Sequence, residues 1–339
     1  MRLAIQENVS LKQYTTLKVG GVADYVAEVK DVAELRAALL FAEQTKVPPL
    51  ILGGGSNVLI NDAGYRGLVI RVGICGREYN DMSDTECLVR VGAGEVLDAV
   101  VAESVNRGLW GLENLSSIPG SVGGTPVQNV GAYGVEVSSL IKSVEAMNIH
   151  TREEKIFSND ECLFLYRNSF FKTDEGKQWV ITAVTFSLSK VHNPKIQYAD
   201  LVSLQEIHAL TPTFVRETVQ HIRSQKFPDW TTAGTAGSFF KNPIISAAHF
   251  ADLKQQYPEL PGHIQSDGSI KVSLGYVLDK VCGLRGHCEG GVCLYEKQAL
   301  VLVTEGNVSA EEINSFSKKI VEKVFLKTKI EIESEVVRV

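Results

Sequence analysis

GLENLSSIPGSVGGTPVQNVGAYG, residues 111–134, combines the small residues of a loop with the apolar spacing of a core. Glycine, proline and small residues recur through it, yet Leu112, Leu115, Ile118, Val122, Val127 and Val130 are spaced along it. A disordered linker lacks such residues, because it cannot bury enough apolar surface to offset its ordering entropy. The combination predicts an ordered, buried loop whose backbone comes close to a ligand. Glycine permits positive φ and close backbone approach, and successive exposed N–H groups form a concave anion site for a phosphate or pyrophosphate. A set of tight turns inside a large domain is the other reading the residues allow.

On the N-terminal side, strand-like and helix-like periods alternate from Val22. Asp31 and Glu34 predict a capped helix using Leu35, Leu39, Leu40 and Phe41, stopped by Pro48 and Pro49. Leu50, Ile51 and Leu52 then form a short apolar strand running into Gly53-Gly54-Gly55-Ser56-Asn57, followed by a strand over 67–72. A glycine turn directly after a strand is a second place where phosphates sit. A strand over 87–91 and a helix over 93–107 follow from Ile74 onward. Beyond the loop come strands over 143–149 and 179–188. A third region opens near Phe227, with a helix around 274–281 and a strand over 299–303. Ser309 and Glu312 form a capping box for a helix using Ile313, Phe316, Ile320, Val324 and Phe325. A last strand over 329–337 alternates Ile330, Ile332 and Val336 with Glu331, Glu333 and Glu335. The class is α+β, in three parts.

Composition bounds the function. A length of 339 residues fits two or three domains. A net charge of −6 excludes broad nucleic-acid affinity, which needs a basic face. No apolar run reaches the roughly 20 residues that span a bilayer, and the N-terminus lacks signal-peptide features. Six cysteines in a chain this long read as reduced thiols of a cytosolic protein. Cys282, His287, Cys288 and Cys293 contain no CxxC pair, so no metal is expected.

Two motifs are decoys. Val91-Gly92-Ala93-Gly94-Glu95-Val96-Leu97 begins like a dinucleotide fingerprint, but Leu97 stands where the third glycine belongs. Ser238-Phe239-Phe240-Lys241 matches SxxK without its companion S-D-N and K-T-G motifs. Three polar residues in glycine or aromatic contexts remain. Arg167 is either a structural ion-pair partner or a planar fork for a carboxylate. Ser238 is either a turn serine or a hydroxyl in an open cleft. Glu335 reads by default as a solvated strand carboxylate.

The chain resembles the UDP-N-acetylenolpyruvoylglucosamine reductase family over almost its whole length. The motifs are YTTLKVGGVADY (14–25), GGGSNVLI (53–60), residues 111–134, YRNSFFK (166–172), AGSFFKNP (236–243) and IEIESEVV (330–337). IQYADL (196–201) resembles the longer branch of the family, which has a tyrosine-bearing loop over the substrate. Ser334 stands where many relatives have proline.

The resemblance implies an α+β fold of three domains. Two of them form a vanillyl-alcohol-oxidase-type (PCMH-like) FAD-binding unit, from residues 1–73 with 330–339 and residues 74–226. The third, 227–329, binds substrate. It implies non-covalent FAD held by Gly53, Gly54, Gly55, Ser56, Asn57, Ser117, Ile118, Pro119, Gly120, Gly123, Gly124, Asn129 and Gly131. NADPH reduces the flavin and leaves, and the enolpyruvyl substrate of peptidoglycan precursor synthesis then takes the same cleft. Hydride adds to the methylene carbon, and the charge that builds at the carboxylate needs positive and hydrogen-bonding groups. Arg167 and Glu335 are implied at that carboxylate. Ser238 is implied as the proton donor to the other alkene carbon, with Lys241 or a water relay to activate it. Tyr198, Lys226, Asn242 and Gln298, with Tyr133 and Arg223, are implied at the UDP diphosphate and sugar. The expected partners are small molecules only, for a monomer in the cytoplasm. A flavin- or nucleotide-binding sensor on the same fold is the alternative, and it has no reason to keep the set Arg167, Ser238 and Glu335.

Overall fold

The computed structural model describes residues 3–339. The chain divides into two compact units, one of residues 3–9, 23–55 and 66–223, the other of 10–22, 56–65 and 224–339.

The first unit is built on a four-stranded and a five-stranded sheet together with helices. One sheet orders its strands Ile5–Ser10, Val22–Val29, Tyr65–Val72 and Pro49–Leu52. Pro49–Leu52 runs parallel to Tyr65–Val72, with Leu50 opposite Val69. The connection between them leaves the Gly53–Gly55 turn at the strand's end. The second sheet is antiparallel, in the order Glu154–Ser158, Ile141–Asn148, Trp179–Ser189, Glu86–Gly92 and Arg77–Asp81.

Helix α1 (Val32–Thr45) begins where the sequence placed it. Asp31 accepts the Glu34 N–H at 2.7 Å, and Glu34 reaches back to the N–H of Lys30 at 2.8 Å. Lys46 closes the helix in the left-handed region at φ 56°, just before Pro48. Its inner face buries Leu35, Ala38, Leu39 and Ala42 in one core with Val89 and Val91 of the second sheet. Helix α2 (Leu97–Asn106) adds Leu97, Val100 and Val101 to the same core.

Helix α2 starts later than the predicted 93. Gly92 and Gly94 are consumed in a turn where a Cβ on Gly94 would lie 2.4 Å from the carbonyl carbon of Gly73. Glu95 then accepts the Gly76 N–H at 2.9 Å and pairs with Arg77. Helix α3 (Pro212–Lys226) buries Val215 and Val219 in a smaller cluster with Trp110, Tyr133 and Leu201.

The second unit is built on a sheet ordered Gly234–Ser238, Val301–Thr304, Val292–Leu294 and Cys288–Glu289. Helices α4 (Ala247–Gln256), α5 (Leu274–Tyr276) and α6 (Ala310–Thr328) complete it. The helix expected around 274–281 is α5 followed by a π turn over Val277–Val281. Helix α6 has the expected capping box between Ser309 and Glu312. It packs Ile313, Phe316, Ile320 and Val324 into a core that also holds Phe239 and Phe240.

The C-terminal segment and the cysteines also differ from expectation. Residues 329–336 keep the alternation, with Ile330, Ile332 and Val336 buried, but form no continuous ladder. Only Val337–Arg338 is paired as a strand, parallel to Val58–Leu59. The cysteines are not all thiols: Cys288 and Cys293 form a disulfide, while Cys75, Cys87, Cys162 and Cys282 are free. The hairpin register sets Cys288 directly opposite Cys293 across the Gly290-Gly291 turn, and that register brings the sulfurs together.

Candidate active site

In the first unit the two glycine loops meet backbone against backbone. The Gly54 N–H donates to Ser121 Oγ at 3.2 Å. A Cβ on Gly54 would lie 2.8 Å from Gly120 Cα, a backbone atom, so only glycine fits there, and one on Gly53 would lie 2.5 Å from Ser121 Oγ. Residues 111–116 are buried, as the reading of an ordered loop requires. Gly55, Ser117 and Gly120 adopt positive φ. Several N–H groups of the long loop fix its own shape. Ser117 donates to Asp98 Oδ1 at 2.6 Å, Gly123 to the carbonyl of Ala93 at 2.8 Å, and Gly124 to that of Ser121 at 3.0 Å. Gly124 is exposed, and a Cβ there would meet nothing within 4 Å.

Arg167 occupies the second centre of a two-residue turn, with Leu165 and Asn168 exchanging N–H···O bonds of 3.0 and 3.1 Å. It holds φ 53°, a conformation that costs a non-glycine residue of order 1 kcal/mol and that surrounding contacts must maintain. Two such contacts are present. Arg167 Nη1 donates to the Gly131 carbonyl at 3.1 Å, and Lys172 Nζ donates to the Arg167 carbonyl at 2.8 Å. The fork is thereby fastened to the far end of the glycine loop. Asn129 spends its amide inside the protein, donating to Glu136 and the Leu165 carbonyl and accepting from the Ser138 N–H.

Three of the substrate candidates come together in this unit. Tyr133, only 8 % exposed, packs edge-on to Tyr198, with ring centroids 5.6 Å apart. Burial pushes the Tyr133 hydroxyl up to about 12, with the Arg223 charge pulling the other way. Burial also lowers the pKa of Arg223, and Tyr133 and Asp98 counter it. Tyr198 stays exposed.

Sequence reading missed four residues that hold this arrangement. Asn114, fully buried, donates to the carbonyls of Tyr133 at 2.8 Å and Lys195 at 2.7 Å, clamping the tyrosine segment to the loop. Glu113, also fully buried, accepts the Gly111 N–H, and burial pushes its carboxyl up to about 7. Asp98 and Arg216 form a two-pronged pair at 2.6 and 2.9 Å. The partners in each case lie far apart in the chain or on the main chain, so no local pattern marks them.

In the second unit Ser238 ends its strand. Gly237 takes φ 71° and the register with Val301–Thr304 shifts between Thr235 and Ser238, which re-aims the serine. The next two side chains, Phe239 and Phe240, anchor the segment in the core. The C-terminal segment runs alongside: the Glu335 N–H donates to the Phe239 carbonyl at 2.8 Å, and the Lys241 N–H to that of Glu333 at 3.0 Å. Ser238, Asn242 and Glu335 are thus brought to one stretch of paired backbone. Lys241 directs its ammonium to Glu333 at 3.1 Å, so its partner is that carboxylate. Asn242 Oδ1 accepts the Leu274 N–H at 3.0 Å and caps α5. Gln298 closes the turn between Tyr295 and Val301. Ser56 and Asn57 belong to this unit, and Lys226 ends α3.

Residues 23–157 match a family model described as FAD binding domain. Residues 229–339 match that of UDP-N-acetylenolpyruvoylglucosamine reductase, C-terminal domain. A UDP-N-acetylenolpyruvoylglucosamine reductase of Pseudomonas fluorescens is 37 % identical over 338 residues, covering 99 % of both chains. Its namesake from Porphyromonas gingivalis is 40 % identical over 84 % of both. The crystal structure of UDP-N-acetylenolpyruvylglucosamine reductase from Thermus caldophilus superposes with a TM-score of 0.69 at 26 % identity, covering 100 % of this chain and 99 % of that one.

Proposed function

This chain belongs to the UDP-N-acetylenolpyruvoylglucosamine reductase family, and on that premise we propose that Arg167, Ser238 and Glu335 carry its chemistry. The chain is an FAD-dependent oxidoreductase that reduces UDP-N-acetylglucosamine enolpyruvate to UDP-N-acetylmuramate with NADPH.

The glycine loops fit the cofactor. Gly53, Gly54 and Gly120 exclude side chains where the loops meet, and Gly124 leaves open surface beside them. Such a peptide-lined cradle lets a pyrophosphate approach the backbone, and the Asp98 carboxylate behind the loop is paired with Arg216. Gly53 to Asn57, Ser117 to Gly120, Gly123, Gly124, Asn129 and Gly131 are the proposed contacts, with Ser117 and Asn129 shaping the loop from behind. Neither loop has a histidine or cysteine for covalent attachment. Bound FAD supplies the hydride once NADPH has reduced it.

The protein's own groups do the rest. Arg167 presents a planar fork to the substrate carboxylate and stabilises the negative charge that grows there as the methylene carbon becomes a methyl. Its anchorage on Gly131 keeps the fork from following the ligand. Glu335 assists at the same carboxylate. Ser238 gives its proton to the other alkene carbon. Tyr133, Tyr198, Arg223, Lys226, Asn242 and Gln298 hold the nucleotide sugar, with arginine and lysine on the diphosphate. Functionally, residues 1–73 with 330–339 and residues 74–226 serve FAD, and 227–329 serve substrate; the compact units divide the chain differently.

The reading extends to a monomer in the cytoplasm that binds no nucleic acid, in keeping with a net charge of −6. Among the described residues no helix is long and apolar enough to cross a membrane.

The tight approach of Gly54 to the Gly120 backbone is the observation that carries the reading. Its test is direct. Purified protein should absorb near about 450 nm, bleach with NADPH without oxygen, and regain colour with the enolpyruvyl substrate. A colourless protein that takes up no flavin contradicts it.

A further inference from the structure

Asp98 is the second residue of α2, and three groups converge on its carboxylate. Oδ1 accepts the Ser117 N–H at 2.6 Å and one Arg216 nitrogen at 2.6 Å, while Oδ2 accepts the other at 2.9 Å. Ser117 belongs to the glycine loop and stands at φ 59°, a conformation that needs an outside contact to hold it. Arg216 belongs to α3, and its side chain is only 12 % exposed. The Asp98 side chain is 31 % exposed, so the pair is partly screened from water, and its two-pronged geometry makes it more directional than a single-pronged surface pair. Arg216 and Arg223 stand seven positions apart on α3, about two helical turns, and the helix runs on to Lys226. Arg223 also feels the charge of Asp98. Burial works to raise the Asp98 carboxyl, but the Arg216 fork, the Ser117 N–H and the charges of Arg216 and Arg223 hold it below its usual range. It is therefore anionic at neutral pH. A bare aspartate beside a diphosphate site would repel the ligand, and Arg216 neutralises it.

We propose that Asp98, through its joint hold on Ser117 and Arg216, is a positioning residue that couples cofactor binding to substrate binding. This rests on the assignment of FAD to the 111–134 loop and of the diphosphate to Arg223 and Lys226. Anything that steadies α3 also steadies the left-handed turn at Ser117. Linkage makes the effect reciprocal: a ligand on α3 tightens the loop's grip on FAD, and bound FAD improves affinity for that ligand.

The experiment follows FAD release from diluted holoenzyme by flavin fluorescence, with and without saturating UDP-N-acetylglucosamine, which carries the substrate's nucleotide, diphosphate and sugar. In wild-type protein the ligand should slow release about fivefold or more. Arg216→Gln cuts the link to α3 but leaves Ser117 its acceptor, and Asp98→Asn keeps an acceptor for Ser117 without the charge. In both, the slowing should shrink below about twofold and KM for the enolpyruvyl substrate should rise by the lost coupling, about threefold or more, while flavin reduction by NADPH keeps its rate. A merely structural pair would lower the melting temperature and leave the ligand's effect on release intact, and that result overturns the proposal. So does wild-type release that ignores the ligand. A protein that holds no flavin contradicts the functional reading itself, and the coupling falls with it.

Discussion

The side-chain amide of Asn57 donates to the main-chain carbonyl of Glu335 at 3.2 Å, and the carbonyl of Asn57 accepts the Val337 N–H at 3.1 Å. The last residue of the first glycine motif therefore fixes the backbone at the proposed catalytic carboxylate and just beyond it. Asn57→Ala removes one of these bonds, at a cost of about 1 kcal/mol in stability. It should slow reoxidation of the reduced enzyme by substrate more than its reduction by NADPH. Stopped-flow measurement of both half-reactions checks the asymmetry, and equal slowing contradicts it.

Gly54→Ala tests the cradle. The added methyl would stand 2.8 Å from Gly120 Cα, a backbone atom that cannot swing aside. The loops must separate, and FAD affinity should fall about tenfold or more, equivalent to about 1.4 kcal/mol. Fluorescence titration of the apoprotein reads it. Unchanged affinity would mean that the loop contact does not shape the cofactor site.

Glu113 makes stability depend on pH. Burial raises its carboxyl from 4.5 to about 7, so the folded protein holds a proton that the unfolded chain releases between those values. With more protons bound when folded, stability falls as pH rises through that window. The contribution is present in full below about pH 4.5 and is lost above about pH 7, on the order of 3 kcal/mol. Glu113→Gln should remove this decline and leave the variant more stable than wild type at pH 8. Thermal denaturation at a series of pH values measures it, and parallel curves for the two proteins contradict it.

The disulfide predicts a labelling count. Unfolded without reductant, the chain should take up four thiol labels, those of Cys75, Cys87, Cys162 and Cys282. With reductant it should take up six. Six labels in both conditions would show Cys288 and Cys293 reduced.

Local chemistry made much of this fold legible. Asp31 and Ser309 announce their helices through caps that lie within four residues, and the apolar spacing within 111–134 announces a buried loop. Where the sequence misled, the deciding partner was distant or on the main chain. The 329–336 alternation reports which side chains face inward but not which backbone lies alongside, so an expected strand became separate bonds to Phe239 and Lys241. The pairing of Cys288 with Cys293 was within reach, because the Gly290-Gly291 turn between them is a two-residue hairpin signal. Asp98 and Arg216 stand 118 positions apart, and no pattern of either segment points to the other.

The proton-donor role of Ser238 is the centre of the account, and anaerobic stopped-flow of Ser238→Ala tests it most directly. The variant should bleach with NADPH at the wild-type rate, whereas its reoxidation by the enolpyruvyl substrate should slow by about two orders of magnitude or more. Equal slowing of both half-reactions, or reoxidation at the wild-type rate, would contradict the assignment.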